Sequence, residues 1–196
     1  MDKINILKKF WKNKKVFITG HSGFKGSWLC IILKTLGAKI YGYSLEPETN
    51  SLFNQAHLKK ILSKNYFKDI KDYKSLKNSI NDVNPHIIFH LASQAIVSNA
   101  FTDPYQNFDT NIKGTLNLLE IIRVNKSIQS ALIITTDKVY KNENKKVKFK
   151  EGDYLEGKDP YSASKVGQEI LTFAYEKSFF SMYFLELSDH FISKIL

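Results

Sequence analysis

Lys15-Val-Phe-Ile-Thr-Gly-His-Ser-Gly-Phe-Lys-Gly26 is the stretch that decides the fold. A short β-rich run, Lys15 to Thr19, leads directly into glycines at 20, 23 and 26, and Ser27 to Leu36 then reads as a helix stopped at Gly37. Each glycine has a physical task. Gly20 permits a tight turn off the strand, Gly23 lets a pyrophosphate approach the backbone, and Gly26 lets the helix pack closely on the sheet. The helix N-terminus offers N–H groups and a positive dipole end to phosphates. Between a first strand and a first helix, this spacing points to nucleotide binding rather than to a purely structural turn. A P-loop is excluded, because no Gly-Lys-Ser/Thr follows.

The same alternation continues along the chain. Lys39 to Tyr43 reads as a second strand, Ser51 to Leu62 as a helix, and a short piece around Tyr66-Phe67, ending at Asp69, as a third strand. Tyr73 to Val83 has helical spacing and is ended by Pro85; His86-Ile-Ile-Phe-His90 is a continuous apolar strand, as a parallel sheet buried on both faces requires. Asp103-Pro104 starts a long helix with Ile112, Leu116, Leu119 and Ile122 on one face. Ala131 to Thr135 is a fifth strand, Asn142 to Lys158 a charged loop, Asp159-Pro160 opens a helix to about Lys177, and Met182 to Leu185 reads as a sixth strand. Strands alternating with helices give an α/β fold. Right-handed crossovers make it a doubly wound parallel Rossmann-type sheet with helices on both faces.

Composition narrows the class. The chain has 196 residues, 43% hydrophobic and 24% charged, enough for one domain with a substantial core. Cys30 is the only cysteine, so no internal disulfide forms. No apolar run approaches the ~20 residues of a membrane span, and the lysine-rich Met1 to Lys15 lacks the apolar stretch and cleavage site of a signal peptide. The expectation is a soluble, cytoplasmic protein without a membrane partner. The net charge of +10 is carried almost wholly by lysine, with Arg123 the only arginine; a solvated lysine-rich surface fits better than nucleic-acid binding. No metal site is expected.

Cofactor choice stays open at the level of residues. The second strand ends Tyr43-Ser44-Leu45-Glu46, with neither an Asp for a ribose 2′-hydroxyl nor an Arg for a 2′-phosphate; Glu46 reads either as that acid or as a loop residue. Asp69-Ile70 reads either as an adenine contact or, for Asp69, as a helix cap. Tyr161 and Lys165 lie four apart just inside the last helix and share one face. A tyrosine, with an ordinary pKa of about 10, acts as a base near neutrality only beside a cation in a dry site, and Lys165 supplies that cation. Tyr73/Lys77 and Tyr154/Lys158 share the spacing but read as a surface helix pair and a loop pair. Thr135-Thr-Asp-Lys138 stands at the carboxyl end of the fifth strand, where ligands of such sheets bind.

Thr19 to Gly26, His90-Leu-Ala, Asn111, Thr136-Asp137-Lys138 and Tyr161-x-x-x-Lys165 together resemble the extended short-chain dehydrogenase/reductases, and within them the CDP-glucose 4,6-dehydratases. Phe24-Lys-Gly-Ser-Trp-Leu29, Tyr41-Gly-Tyr-Ser-Leu-Glu-Pro47 and Thr135-Thr-Asp-Lys-Val-Tyr140 are the distinctive stretches. The resemblance spans roughly Phe10 to Phe180 and implies an NAD-dependent lyase acting on CDP-glucose. It implies cofactor contacts from Gly20, Ser22, Gly23, Phe24, Lys25, Gly26, Ser44, Asp69, Ile70, Leu91, Ala92, Tyr161 and Lys165. It implies catalytic roles for Thr136 on the 4-oxygen, Asp137 as acid at the leaving 6-hydroxyl, Lys138 as base at C5, Tyr161 as base at the 4-hydroxyl, and Lys165 as its partner. It also implies a homodimer through helices Asp103 to Arg123 and Pro160 to Lys177.

The chain departs from its relatives in two places. They often carry an Arg between Gln94 and Phe101, where Ser98 and Asn99 stand here. After the sixth strand they have an Arg, an Asn and a glycine-rich turn leading into a substrate domain, whereas no glycine follows Gly167. The expectation is an NAD-binding domain over residues 1–185 and a divergent tail over 186–196, with the C-terminal substrate domain missing and turnover impaired. The rival readings are a related nucleotide-sugar epimerase or dehydratase, and a non-catalytic NAD-binding remnant or interaction module.

Overall fold

A computed structural model describes residues 2–142, 148–150, 152–180 and 185–187. Six strands, β1 (Lys15–Thr19), β2 (Lys39–Ser44), β3 (Lys64–Phe67), β4 (Ile87–His90), β5 (Ser130–Ile133) and β6 (Leu185–Leu187), form one sheet in the order β3-β2-β1-β4-β5-β6. Every neighbouring pair is parallel. The doubly wound fold is therefore as the sequence predicts. The order reverses between β1 and β4, where Thr19 is in register with Tyr43 on one side and His90 on the other, so a crevice opens beyond these three residues.

The helices are α1 (Lys3–Trp11), α2 (Phe24–Thr35), α3 (Leu52–Gln55), α4 (Tyr73–Val83), α5 (Val97–Thr102), α6 (Pro104–Phe108), α7 (Gly114–Val124) and α8 (Pro160–Phe179). Two cores sandwich the sheet. Val16, Ile18, Ile40 and Phe89 pack with Trp11 and with Leu29, Cys30 and Leu33 of α2; Phe17, Tyr43, Ile88 and Ile133 pack with Leu76 and Ile80 of α4 and Leu118 and Ile122 of α7. Strand residues thus alternate between the two layers. That is why the central strands β1, β4 and β5 are apolar through their middles.

Several boundaries differ from expectation for local reasons. α2 begins at Phe24 rather than Ser27, because Gly23 already occupies the cap and its carbonyl accepts from Ser27 N at 2.8 Å. The expected helix over residues 51–62 is two pieces, α3 and a 3₁₀ turn Leu58–Lys60, separated by His57 in the left-handed region (φ 51°). The expected long helix from Asp103 is broken into α6, a π turn Asp109–Lys113 and α7. Of the face read as apolar, Leu119 and Ile122 are buried as expected while Leu116 is exposed, and Leu118 and Ile121 join the core. The last helix runs to Phe179. The described part of the sixth strand is Leu185–Leu187; residues 182–184 of the stretch read as a strand lie outside the described residues, as do 188–196 of the stretch read as a tail. β6 pairs with β5 through Leu187, two residues into that stretch. No pattern in the sequence pointed to α1.

Candidate active site

The glycine loop is built as the spacing demands. Gly20 has φ +72°, and a Cβ there would lie 2.6 Å from Ala92 N. A Cβ on Gly26 would lie 2.2 Å from Gly20 O, so the helix sits on the turn with no room for a methyl. Gly23 is different. Its nearest neighbour would be Gly20 O at 3.4 Å, so its bareness is not a packing requirement and it faces open space. Phe24, Lys25 and Gly26 form the first turn of α2, whose N–H groups lack intrahelical acceptors.

His21, inside this loop, is fully buried. Its ring stacks on Phe67 (5.7 Å between centroids), meets Phe53 edge-on (5.2 Å) and contacts Asn65 Oδ1 through Nε2 at 3.1 Å. Gly42 makes this possible, since a Cβ there would fall 2.2 Å from His21 Cδ2. Burial pushes the imidazole down to about 4, against the hydrogen bond with Asn65. His21 is therefore a neutral spacer that fixes the loop to β2 and β3, not a phosphate ligand.

A cleft of about 1020 Å³ lies over the carboxyl ends of the strands. Its walls bring together all thirteen residues expected to touch the cofactor: Gly20, Ser22, Gly23, Phe24, Lys25, Gly26, Ser44, Asp69, Ile70, Leu91, Ala92, Tyr161 and Lys165. At one end the Ser22 hydroxyl donates to Leu45 O (3.1 Å), as does that of Ser44 (2.8 Å), holding the loop after β2 against the glycine turn. Glu46, exposed, lines the same end. Asp69 does not cap a helix. Its carboxylate accepts from Lys71 N at 2.9 Å, and Asp72 is the cap of α4, accepting from Ser75 N. The Tyr43 hydroxyl donates to Asp69 O at 2.9 Å and sets this turn over the sheet.

At the other end stand Tyr161 and Lys165. Asp159 caps α8 by accepting from Ser162 N at 2.9 Å, and Pro160 takes the first helical position, placing Tyr161 in the first turn and Lys165 one turn on. Both side chains are buried, Lys165 to 3% exposure. Lys165 Nζ donates to Ile134 O, just past β5, at 3.1 Å. The pair Tyr73/Lys77 instead forms an exposed contact on α4, with the ammonium 5.8 Å from the ring centroid.

Thr136, Asp137 and Lys138 continue from β5 into a 3₁₀ turn, Asp137–Val139, capped by the Thr136 hydroxyl. They adjoin the cleft without lining it; Thr135 lines it, and its hydroxyl donates to Glu169. Asp137 and Lys138 are exposed, so the described residues do not themselves provide the burial that a neutral lysine base needs. Lys138 does face the start of α8. Burial raises the Asp159 carboxyl, but the Ser162 hydroxyl, the N–H groups of Ser162 and Tyr161, and the Lys138 charge outweigh it and hold the group below its ordinary range.

Beneath the cleft runs a buried polar chain, in which the motifs mark Thr19, His90 and Asn111 but not Thr115, Ser164 or Gln168. Thr115 Oγ1 donates to Asn111 O (2.7 Å) and accepts from Gln168 Nε2 (2.5 Å). Its one proton is used, so the 2.9 Å contact with His90 Nε2 makes that nitrogen the donor. Burial and the nearby Lys165 charge push His90 down to about 3, so the ring is neutral and Nδ1 accepts from Thr19 Oγ1 at 2.7 Å. Thr19 Oγ1 in turn accepts from Ala92 N at 3.2 Å. Asn111, in the π turn, accepts from Ser93 Oγ (2.9 Å) and Gln94 N (2.8 Å) and donates to Gln94 O (3.1 Å) and Ser164 Oγ (2.8 Å); Ser164 donates to Tyr161 O (2.7 Å). The loop after β4 and the Tyr161 helix are thus fastened to one network. The available signal was the polar residues His90, Asn111, Thr115, Ser164 and Gln168 standing in otherwise apolar elements.

A protein-family model described as GDP-mannose 4,6 dehydratase matches residues 17–188. The CDP-glucose 4,6-dehydratase of Salmonella typhimurium is 39% identical over 175 residues, covering 89% of this chain and 48% of that protein. Among solved structures, UDP-glucose 4-epimerase from Brucella ovis in complex with NAD aligns with a TM-score of 0.76 at 20% identity, covering 89% of this chain and 51% of that one. The dTDP-glucose 4,6-dehydratase from Bacillus anthracis in complex with NAD aligns with a TM-score of 0.71 at 24% identity, covering 89% and 54%. At these identities the structural matches speak for the fold. The chain spans about half the length of the relatives it matches.

Proposed function

The chain belongs to the GDP-mannose 4,6-dehydratase family, and from that membership we propose that it carries the NAD-binding and acid–base half of a nucleotide-sugar 4,6-dehydratase acting on CDP-glucose. The observation that carries the reading is Lys165, buried and hydrogen-bonded to Ile134 O one turn beyond Tyr161, in the same cleft as the glycine loop.

The residues fit the cofactor. Gly20 and Gly26 are required by packing, but Gly23 leaves a bare approach that packing does not require, which suits a pyrophosphate over the start of α2. No arginine stands near Ser44 to hold a 2′-phosphate, which supports NAD over NADP. Asp69, Ile70 and Lys165 all line the cleft, where the first two would hold the adenine and Lys165 the nicotinamide ribose.

The chemistry supplied by bound NAD is hydride acceptance from C4 of the sugar and hydride return to C6. Tyr161 takes the proton of the 4-hydroxyl, with the Lys165 charge favouring the tyrosinate. Thr136 holds the 4-oxygen. The C4 ketone acidifies C5–H, so Lys138 takes that proton while Asp137 protonates the departing 6-hydroxyl and water leaves. Protonation at C5 completes CDP-4-keto-6-deoxyglucose, and the sum is CDP-glucose minus water.

Exposed Phe101, Tyr105 and Leu116, on the segment from α5 to α7, and Ile170 and Phe173, on α8, support a homodimer through these helices. The test incubates the chain with NAD and CDP-glucose, GDP-mannose, dTDP-glucose or UDP-glucose and follows products by mass spectrometry. Loss of water from CDP-glucose alone is expected. Water loss from another sugar nucleotide instead, or a C4 epimer without water loss, contradicts the substrate assignment; NAD binding without any product favours the non-catalytic NAD-binding module.

A further inference from the structure

Helix α1 lies outside the cleft and has no part in the proposed chemistry. Asp2 caps it by accepting from Ile4 N (3.3 Å), and Trp11 anchors it in the core against Phe89 at 6.2 Å between centroids. Its exit is tied down where Asn13 N donates to Gly37 O (3.0 Å) and Lys39 N donates to Lys14 O (2.8 Å). These contacts place α1 at the amino ends of the strands, opposite the cleft.

The rest of the helix faces out and is apolar to an unusual degree. Ile4, Ile6, Leu7 and Phe10 are 54%, 49%, 37% and 53% exposed. Ile6 and Phe10 are one turn apart on an exposed stripe, Ile4 and Leu7 flank the anchored Trp11, and Asn5, Lys8 and Lys9 take the opposite face. Asp2 to Lys15 contains six lysines against one acid. Exposed Lys34 and Lys39 bracket Gly37, which packs beside Lys12 and extends the basic surface.

We propose that α1 is an interfacial docking helix for an anionic phospholipid surface. Apolar side chains ringed by lysines match a bilayer boundary: the hydrocarbon groups enter the headgroup layer, and the long lysine stems let the ammonium groups meet phosphates. Nucleic acid matches the charge but offers nothing to four exposed Ile, Leu and Phe side chains. A second copy matches the apolar groups but sets like-charged lysines against each other. No helix among the described residues is long and apolar enough to cross a membrane, so the contact is peripheral. Docked this way, the chain keeps its cleft facing the aqueous side.

The test is co-sedimentation of the full chain with vesicles of phosphatidylcholine alone and of phosphatidylcholine mixed with phosphatidylglycerol. Binding to the mixed vesicles only, released by high salt, is expected. The double variant Lys8→Glu/Lys9→Glu weakens it at least about tenfold. Ile6→Asn weakens it about fivefold or more without changing the melting temperature. Both changes are on exposed positions, so they separate docking from folding. Absence of binding to either vesicle, equal binding by the variants, or lipid-free self-association abolished by Ile6→Asn overturns the proposal.

Discussion

Lys165 Nζ reaches across from α8 to the carbonyl oxygen of Ile134, 3.1 Å away, at the point where β5 gives way to the Thr135-Thr136 turn. One ammonium group therefore fixes the distance between the tyrosine-bearing helix and the strand end that carries the proposed acid and base. Its stem is buried among the same elements, so the charge is presented to the cleft rather than to bulk water.

Lys165→Met keeps the stem and removes the charge. Hydrogen bonds to charged groups contribute about 1.5–3 kcal/mol, so NAD affinity is expected to fall at least about tenfold. Folding stability is expected to change by no more than about 1–2 kcal/mol, because a buried charge is lost together with its bond. Calorimetric NAD titration and urea unfolding of the same variant check both numbers.

The three loop glycines are expected to separate cleanly. Gly26→Ala forces a methyl to 2.2 Å from Gly20 O and is expected to cost about 3 kcal/mol of stability. Gly23→Ala has open space and a φ of −73°, so it is expected to leave stability within about 1 kcal/mol. Its methyl instead occupies the phosphate approach and lowers NAD affinity by at least about tenfold. Equal loss of stability in the two variants, read from urea midpoints, would count against this division.

Two buried histidines give the fold a pH dependence. His21 is pushed down to about 4 and His90 to about 3, mainly by burial, from an ordinary 6.5. Below pH 6.5 the unfolded chain takes up protons that the folded chain refuses, so stability is complete above that pH and is lost as pH falls toward the folded values. The slope is up to about 1.4 kcal/mol per pH unit for each histidine. Partnered carboxylates such as Asp82 and Glu120 are held low, so their contribution is lost only below about pH 4.5, outside this window. Urea unfolding at pH 7 and pH 5 is expected to show a marked loss at the lower pH; unchanged midpoints would show that these rings are solvated.

Asn111 makes four hydrogen bonds from a fully buried site. Asn111→Ala is expected to cost about 3 kcal/mol, since it leaves the Ser93, Gln94 and Ser164 groups without a partner. Faster amide exchange at Ser93 and Gln94 than elsewhere in the chain is the accompanying sign.

β1, β4 and β5 were legible because each is a short apolar run between glycine or polar breaks, and the glycine loop because its spacing falls between a strand and a helix. The features that were not legible depend on contacts distant in sequence. His57 breaks its helix in a conformation that no local pattern marks. The π turn at Asn111 accompanies side-chain bonds to Gln94 and Ser164, partners 17 and 53 residues away. The Thr135 bond to Glu169 joins residues 34 apart, although Glu169 shares a helix face with Tyr161 and Lys165. Helix α1 was not legible because Trp11, its anchor in the core, meets Phe89 only in the folded chain.

The most direct test of the central claim is calorimetric titration of the full chain with NAD. Saturable one-to-one binding is expected, weakened at least about tenfold by Gly23→Ala and by Lys165→Met. Absence of binding, or an affinity unchanged in both variants, would contradict the assignment of this cleft to the cofactor.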